Sequence, residues 1–196
     1  NSIMRGTPKS EVELVVERPG ESSQKQIKII RDEVNIPNVP YSGMLDDETG
    51  YIVLSTFTQD AGKNVQDALQ KLKKDDEKLK YLIFDLRENG GGLLHEAVEV
   101  CNTWLPNGQI VASTRGKAKD KDQYFKTRRP GLDENIKLAI LINGHSASAS
   151  EIVSGTIQDL DRGVIIGQLS YGKGLVQNTK EVGYNAKVKL TTSKYY

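Results

Sequence analysis

The chain has 196 residues, of which 27 are basic and 26 acidic, so its formal net charge is +1. This balance argues against a nucleic-acid-binding protein, which would depend on a strong basic field. The single cysteine, Cys101, excludes an internal disulfide and a cysteine-based metal site, and two histidines supply a zinc site poorly. No apolar run approaches the roughly 20 residues needed to span a bilayer.

The first 35 residues predict two short strands rather than a complete domain. Val12, Leu14 and Val16 alternate along the chain, which is typical of a half-buried strand. A turn-rich break at residues 19–23 separates them from a second apolar segment, residues 26–31. Because two strands alone do not form a stable domain, we expect this segment to pack on the rest of the chain or to be the remnant of a larger domain.

Residues 35–50 contain two prolines and two glycines, which predicts a linker or a loose connection. Beyond them, apolar strand patterns alternate with helical ones, so the fold class is α/β. The predicted strands span 51–54, 81–86, 110–112, 137–143, 164–166, 176–179 and 188–192, and the predicted helices span 64–74, 93–104 and 150–160. The basic, polar segment 117–130 is predicted to be an exposed excursion.

A glycine-rich turn after the strand at 81–86 is the first candidate site. Gly90, Gly91 and Gly92 precede a predicted helix, so the backbone can turn sharply and leave N–H groups exposed. Such groups stabilise a phosphate or a developing oxyanion. The turn matches neither a Walker loop nor a dinucleotide-binding motif, and a plain tight turn is the alternative.

A serine-rich turn after the strand at 137–143 is the second candidate site. It contains Ser146, Ser148 and Ser150 among small residues, which allow a substrate carbonyl to approach closely. The N–H that follows such a serine points into the same space, as stabilisation of an oxyanion requires. The alternative is helix capping, to which Ser150 and Glu151 are well suited.

A serine nucleophile needs a base. His95 and His145 leave a Ser-His-Asp triad open, but Lys173, flanked by glycines between two apolar strands, is the better candidate. An amine must be uncharged to accept a proton, so this hypothesis expects Lys173 to be buried. The alternative is an exposed turn lysine, and Gln177 either orients the lysine or faces solvent.

Together these motifs resemble the C-terminal processing peptidases, or tail-specific proteases, of the S41 serine peptidase family. The similar segments are Gly50–Ile52 with Phe57, YLIFDLRENGGGLL (81–94), LINGHSASASEI (141–152), IGQLSYGKGLVQ (166–177) and LTTSKYY (190–196). The resemblance covers residues 36–196. It implies an α/β fold with a ClpP/crotonase-like protease core of mixed sheets and covering helices.

The resemblance also implies the roles of individual residues. Ser148 corresponds to the nucleophile, Lys173 to the general base and Gln177 to the residue that supports the lysine. The expected activity is that of a serine endopeptidase that uses a Ser-Lys dyad, with no metal and no organic cofactor.

An oxyanion hole completes the site that the resemblance implies. Ala149 corresponds to one donor of a backbone N–H, and the glycine run supplies the other. Gly92 is the expected second donor, and Gly91 remains an alternative.

The N-terminal segment, residues 1–35, resembles the C-terminal part of a PDZ domain, which would precede the protease core at 36–196. The resemblance implies protein or peptide substrates, cleaved near the C-termini of unfolded or extracytoplasmic proteins. It also implies an extracytoplasmic location such as the bacterial periplasm, although the chain begins without a signal peptide. Nucleic-acid partners and membrane-spanning segments are not expected, and homo-oligomerisation is left open.

Two other functions stay open at this point. A catalytically inactive fragment or peptide-binding module of the same fold would carry the dyad without assembling it. A crotonase-like acyl-CoA enzyme would use a glycine-rich oxyanion hole but would need no serine nucleophile.

Overall fold

The computed structural model describes residues 4–34, 36–117 and 122–196 and divides the chain into two units, Asn1–Ile36 and Pro37–Tyr196. The first unit is an antiparallel hairpin of β1 (Glu11–Val16) and β2 (Lys25–Ile30), so both strands predicted there are present. Among its described residues, Val12 is the only buried apolar one.

In its described residues, 37–117 and 122–196, the second unit combines two sheets with three helices. Its elements in chain order are β3 (Tyr41–Met44), β4 (Thr49–Val53), α1 (Ala61–Asp75), β5 (Tyr81–Asp85), α2 (Leu94–Cys101), β6 (Ile110–Gly116), β7 (Gln123–Lys126), β8 (Lys137–Ile142), α3 (Ala149–Asp159), β9 (Gly163–Gly167), β10 (Leu175–Gly183) and β11 (Ala186–Tyr195). The mixed α/β class expected from the sequence is therefore confirmed.

The larger sheet has the strand order β3-β4-β5-β8-β9. Strands β4, β5, β8 and β9 run parallel, and β3 pairs antiparallel with β4. The carboxyl ends of parallel strands meet at one edge of a sheet, where α/β proteins usually carry their sites. The turns that follow β5, β8 and β9 therefore begin at the same edge.

The smaller sheet is antiparallel and has the order β10-β11-β6-β7. Its strand β11 pairs with β6 through Ser193 opposite Gly116 and Tyr195 opposite Thr114. Helix α3 packs against β6, which brings this sheet next to the helix that follows β8.

The core lies between the larger sheet and its helices. Phe84 of β5 packs edge-on against Trp104, with ring centroids 5.0 Å apart, and both side chains are fully buried. Helix α1 turns its apolar face inward because Val65, Leu69 and Leu72 recur at helical spacing. Burying one large side chain of this kind contributes about 1.5–3 kcal/mol.

The prediction of a loose connection at 35–50 is wrong, because this segment contains β3 and the start of β4. The carboxylate of Asp46 accepts hydrogen bonds from the N–H groups of Glu48 and Thr49, at 2.9 and 2.7 Å, and so closes a tight turn between the two strands. The prolines and glycines that indicated a linker therefore flank a hairpin.

The predicted exposed excursion at 117–130 is also wrong in part. Residues 123–126 form β7 and pair with β6, while residues 118–121 lie outside the described part of the chain. Strands β10 and β11 extend beyond the predicted segments at both ends. Most of their side chains are exposed, so the apolar pattern marked only part of each strand.

Candidate active site

The glycine-rich turn after β5 and the serine-rich turn after β8 are joined by a dense set of hydrogen bonds. The N–H of Leu86 donates to the carbonyl of Leu141 at 2.9 Å, and the N–H of Ala147 donates to the carbonyl of Asn89 at 3.0 Å. The hydroxyl of Ser146 donates to the carbonyl of Leu86 at 2.8 Å. The two candidate turns therefore form one site.

Asn89 holds this junction together from a fully buried position. Its side-chain amide donates to the carbonyl of Leu54 at 2.7 Å, and its Oδ1 accepts the N–H of Gly91 at 2.9 Å. Its own carbonyl accepts the hydroxyl of Ser150 at 2.8 Å. No local pattern indicates this role, because an asparagine before glycines is typical of any turn.

Gly91 is required by the closeness of the two turns. Its φ is +93°, and a Cβ at this position would lie 2.5 Å from the carbonyl oxygen of Ala147 and 2.8 Å from the Cβ of Ser148. Gly92 also has a positive φ, and a Cβ there would collide with the carbonyl of Phe57. By contrast, a Cβ on Gly90 would meet nothing within 4 Å.

Two backbone N–H groups of these adjoining turns are available to a ligand. Among the described residues, the N–H groups of Gly92 and Ala149 have no acceptor, whereas the N–H of Gly91 donates to Asn89. The Cβ position of Gly91 lies 2.9 Å from the nitrogen of Ala149, so the glycine turn reaches the start of α3. Of the two candidate glycines, Gly92 is the one with a free donor.

Ser148 has an unusual backbone conformation at the start of α3. Its φ of +58° and ψ of −112° lie in a region that side chains other than glycine rarely adopt. Such strain costs about 1–3 kcal/mol and clusters at functional sites. A serine on a strained turn between a strand and a helix is presented at the surface of the sheet edge.

The three serines of the turn have different roles. The hydroxyls of Ser146 and Ser150 donate to backbone carbonyls and are buried, whereas the hydroxyl of Ser148 donates to no residue that the structure describes. Ser148, not Ser150, is the N-cap of α3. The expectation that Ser150 caps the helix is therefore wrong, because its hydroxyl is directed toward the glycine-rich turn.

An ion pair between the buried carboxylate of Asp85 and the exposed guanidinium of Arg87 supports the start of the glycine-rich turn. The carboxylate of Asp85 accepts hydrogen bonds from Arg87, the shortest at 2.6 Å, and from the hydroxyl of Tyr51 at 2.5 Å. Burial alone would raise the pKa of Asp85, but the bonds from Arg87 and Tyr51 outweigh it and lower that pKa. Asp85 is therefore held ionised at the end of β5.

Glu151 joins the serine turn to the loop that carries Lys173. Its carboxylate accepts the N–H of Ser148 at 2.7 Å, the hydroxyl of Ser170 at 2.8 Å, and the N–H groups of Gly172 and Lys173 at 2.6 and 2.9 Å. Burial would raise the pKa of Glu151, but these four donors outweigh it and lower that pKa. Glu151 lies three residues after the N-cap Ser148, which is the spacing of a capping box. The sequence interpretation assigned Glu151 to helix capping alone.

Lys173 and Ser148 line one cavity of about 470 Å³, with apolar walls from Ile110–Ala112 and Ile152. Lys173 is nevertheless exposed, so the expected burial is wrong. The reason is local: the loop is fixed through its backbone by Glu151, and no described residue covers the ammonium group. Within the described part of the chain, the side chains of Lys173 and Ser148 form no hydrogen bond with each other.

The other sequence candidates lie away from this cavity. Gln177 lies on β10, is exposed, and lines a neighbouring cleft with Gly92. His145 is exposed and contacts Glu88 through Nδ1 at 2.9 Å, while His95 lies on α2 in a separate cavity. Neither histidine lines the cavity of Ser148, so the geometry does not favour a Ser-His-Asp triad.

Among the described residues, no group of three or more histidine, cysteine, aspartate or glutamate side chains could hold a metal ion. No helix in the same ranges has both the length and the apolar character for crossing a bilayer.

The chain is similar to known proteases in sequence and in fold. The sequence profile of peptidase family S41 matches residues 48–196. A carboxy-terminal-processing protease of Bartonella bacilliformis is 39% identical over 195 residues, which cover 98% of this chain and 44% of that protein. A protein of Staphylococcus aureus named "Probable CtpA-like serine protease" is 34% identical over 98% of this chain and 38% of its own length.

The solved structure of a photosystem II D1 C-terminal processing protease has a TM-score of 0.72 and 27% identity, over 97% of this chain and 52% of that one. The structure of mature CPAF, at 11% identity, shares the fold with a TM-score of 0.60 over 96% of this chain and 59% of that one. The chain spans less than half the length of the two curated relatives. It belongs to peptidase family S41.

Proposed function

We propose that the chain is the core of a serine endopeptidase in which Ser148 is the nucleophile and Lys173 the general base. The observation that carries the proposal is the strained Ser148, whose hydroxyl donates to no described residue and whose turn packs against the glycine-rich turn. Among the described residues, Ala149 and Gly92 of these two turns have N–H groups without an acceptor. Lys173 lines the same cavity, which supports its role as the base. Membership of family S41 makes peptide hydrolysis the expected chemistry.

The reaction begins when Ser148 Oγ attacks the carbonyl carbon of the scissile peptide bond. The Oγ proton passes to the uncharged Nζ of Lys173, and the carbonyl electron pair moves to the oxygen. The N–H groups of Ala149 and Gly92 stabilise this oxyanion, because each lacks another acceptor among the described residues.

The tetrahedral intermediate then collapses and its C–N bond breaks. The ammonium of Lys173 returns the proton to the leaving amine, and an acyl-enzyme remains on Ser148. Water attacks the ester carbonyl with Lys173 again accepting a proton, and the second collapse releases the new carboxyl terminus and restores the serine hydroxyl.

Because Lys173 is exposed, the bound substrate has a second role besides being cleaved. A peptide in the cavity excludes water from the ammonium group and so favours its uncharged form. The carboxylate of Glu151 holds the loop backbone in place while this occurs, so the base is positioned before it is desolvated. Gln177 would orient the lysine only if β10 approached the loop more closely, because the two side chains form no hydrogen bond within the described residues.

The substrates proposed are proteins that present an unfolded or exposed C-terminus. The relatives' names, which specify carboxy-terminal processing, support this class. The same relationship supports an extracytoplasmic location. The hairpin of β1 and β2 is proposed to be the last part of a PDZ-like domain, because it exposes apolar side chains such as Val15 and Ile30 and a lone hairpin is marginally stable.

Cleavage of casein tests the proposal, with products identified by mass spectrometry. The parent chain is compared with Ser148→Ala, Lys173→Ala and the control Lys189→Ala, whose exposed lysine lies on β11 outside the cavity. We expect both site variants to lose at least about a thousandfold in rate, as nucleophile and base removal does in serine proteases. Parental rates in either site variant would contradict the dyad.

A further inference from the structure

A second cleft lies beside the glycine-rich turn, with Gly92 in its lining. Its volume is about 790 Å³, and its walls come from β6, β7, β10 and β11 together with the residues before α2. It borders the cavity of Ser148, because Tyr195 lines both spaces. An extended peptide whose scissile carbonyl lies at Ser148 can therefore continue into it.

Among the described residues that line this cleft, all the charged side chains are basic, so it is named the basic cleft. Two ammonium groups, those of Lys117 and Lys180, line it, and none of its described lining residues is acidic. Neither lysine forms an ion pair with a residue that the structure describes. Among the described residues, the carboxylates closest to these lysines along the chain are Asp122, which does not line the cleft, and Glu181, which pairs with Lys187 at 3.1 Å.

The rest of the lining adds donors that suit a carboxylate. The side-chain amides of Gln177 and Asn178 and the hydroxyl of Thr192 lie on the same walls. The hydroxyl of Thr192 accepts a bond from Asn178 at 2.8 Å, which orients the amide within β10 and β11. Ammonium groups, amide N–H groups and hydroxyls together are donors that carboxylates prefer.

The cavity of Ser148 differs in this respect. It contains the carboxylates of Glu151 and Asp159 beside Lys173, so its charges are mixed. A peptide that spans both spaces therefore meets a mixed, largely apolar wall at the nucleophile and a cationic wall beyond Gly92.

We propose that the basic cleft is a specificity site that selects peptide substrates carrying a carboxylate next to the cleavage site. The inference rests on the proposed peptidase function and deepens it. The carboxylate has two sources, an acidic side chain within the peptide or the free C-terminus of the substrate. Both place a negative charge between Lys117 and Lys180.

Kinetics with a matched set of peptides separates these sources. The reference peptide is neutral and amidated, and each other peptide changes one feature: an Asp at one of four positions on either side of the cleavage site, a Lys at the same position, or a free C-terminal carboxylate. We expect kcat/KM to be about threefold to tenfold higher for one of the carboxylate peptides than for the reference, and we expect the difference to lie in KM. The effect is modest because exposed ion pairs are individually weak. The preference falls in high salt.

Charge reversal of the cleft is the decisive variant. Lys117→Glu combined with Lys180→Glu is expected to reverse the preference, so that the Lys peptide has a higher kcat/KM than the Asp peptide. Lys189→Glu, on β11 but outside the cleft, is the matched control. Equal cleavage of all peptides by the parent chain would overturn the cleft as a specificity site, whereas cleavage of none would overturn the peptidase function itself.

Discussion

The nucleophile and the general base are held in very different ways. The turn with Ser148 is built into the sheet edge, where Asn89, Ser146 and Ser150 bind it to the glycine-rich turn from buried positions. The loop with Lys173 is exposed and is fixed mainly through one carboxylate, that of Glu151. The oxyanion-binding turns are therefore preorganised by buried contacts, whereas three of the hydrogen bonds that fix the exposed loop depend on the one carboxylate of Glu151.

This difference has a consequence for how activity can be lost. Damage to the serine turn must break packed backbone contacts, so it should reduce both stability and catalysis. Damage to the lysine loop should reduce catalysis with little loss of stability, because the loop is exposed and contributes few buried contacts.

The largest effect is expected from Gly91→Ala, which directly disturbs the contact between the glycine-rich turn and the serine-rich turn. The added Cβ would lie within 3 Å of Ala147, Ser148 and Ala149 at a positive φ, so the two turns must separate. Because a misplacement of about 1 Å costs about a hundredfold, we expect kcat/KM to fall by at least about a hundredfold and the melting temperature to drop. Gly90→Ala, whose Cβ meets nothing within 4 Å, is the control and should change kcat/KM by less than about twofold. Similar rates in the two variants would show that the turns need not be this close.

Glu151→Gln tests the carboxylate that anchors the loop of Lys173. A neutral amide keeps one acceptor oxygen and loses the charge that binds four donors, so Lys173 should be misplaced and kcat should fall by about tenfold to a hundredfold. Stopped-flow or steady-state kinetics would measure the change in kcat, with the exposed Glu77→Gln as the control.

Because the pKa of Glu151 is lowered in the folded chain, its ionised contacts persist above the ordinary value of about 4.3 and are lost as pH falls through the lowered value. A parental kcat in Glu151→Gln would mean that other contacts hold the loop.

Asp85→Asn tests the hydrogen-bonded carboxylate that supports the start of the glycine-rich turn. Asp85 is 4% exposed and accepts bonds from Arg87 and Tyr51, so we expect a loss of about 1–3 kcal/mol in the free energy of unfolding. The folded pKa of Asp85 is lowered, so its contribution is complete above about 3.9 and disappears as pH falls through the lowered value. Denaturant unfolding at several pH values should therefore show the variant and the parent converging in acid. The exposed Asp47→Asn is the control, and a constant difference at all pH values would contradict this role.

The smallest effect is expected from His145→Gln. Its ring is exposed, and the hydrogen bond that it donates to the carboxylate of Glu88 raises its pKa. The pair is therefore complete below the ordinary histidine value and is lost as pH rises through the raised one. Exposed pairs contribute little, so the cleavage rate at pH 7 should stay within about twofold of the parent. A loss of a hundredfold would restore the Ser-His alternative.

Much of the site could be predicted from the sequence because its residues follow strands. Buried apolar runs fixed β5 and β8, and glycines and small residues marked the turns after them. The choice among three serines depends on partners about 60 positions away, namely Leu86 and Asn89, which no local pattern reveals. The exposure of Lys173 could not be predicted either, because a glycine-flanked lysine is compatible with a buried base and with an open loop.

The sequence was least informative about pairing between distant segments. Prolines and glycines at 35–50 indicated a linker, yet β3 pairs with β4 across a turn closed by Asp46. The basic cleft likewise combines β6, β7, β10 and β11, which are brought together only by sheet topology.

Covalent trapping at Ser148 tests the proposed dyad most directly. The parent chain, Ser148→Ala and Lys173→Ala are each treated with a peptidyl diphenyl phosphonate, which forms a stable bond with an activated serine, and the labelled residue is located by mass spectrometry. We expect label on Ser148 in the parent, none on that segment in Ser148→Ala, and labelling slowed by at least about a hundredfold in Lys173→Ala. Label on Ser146 or Ser150, or labelling of Ser148 that is independent of Lys173, would contradict the dyad.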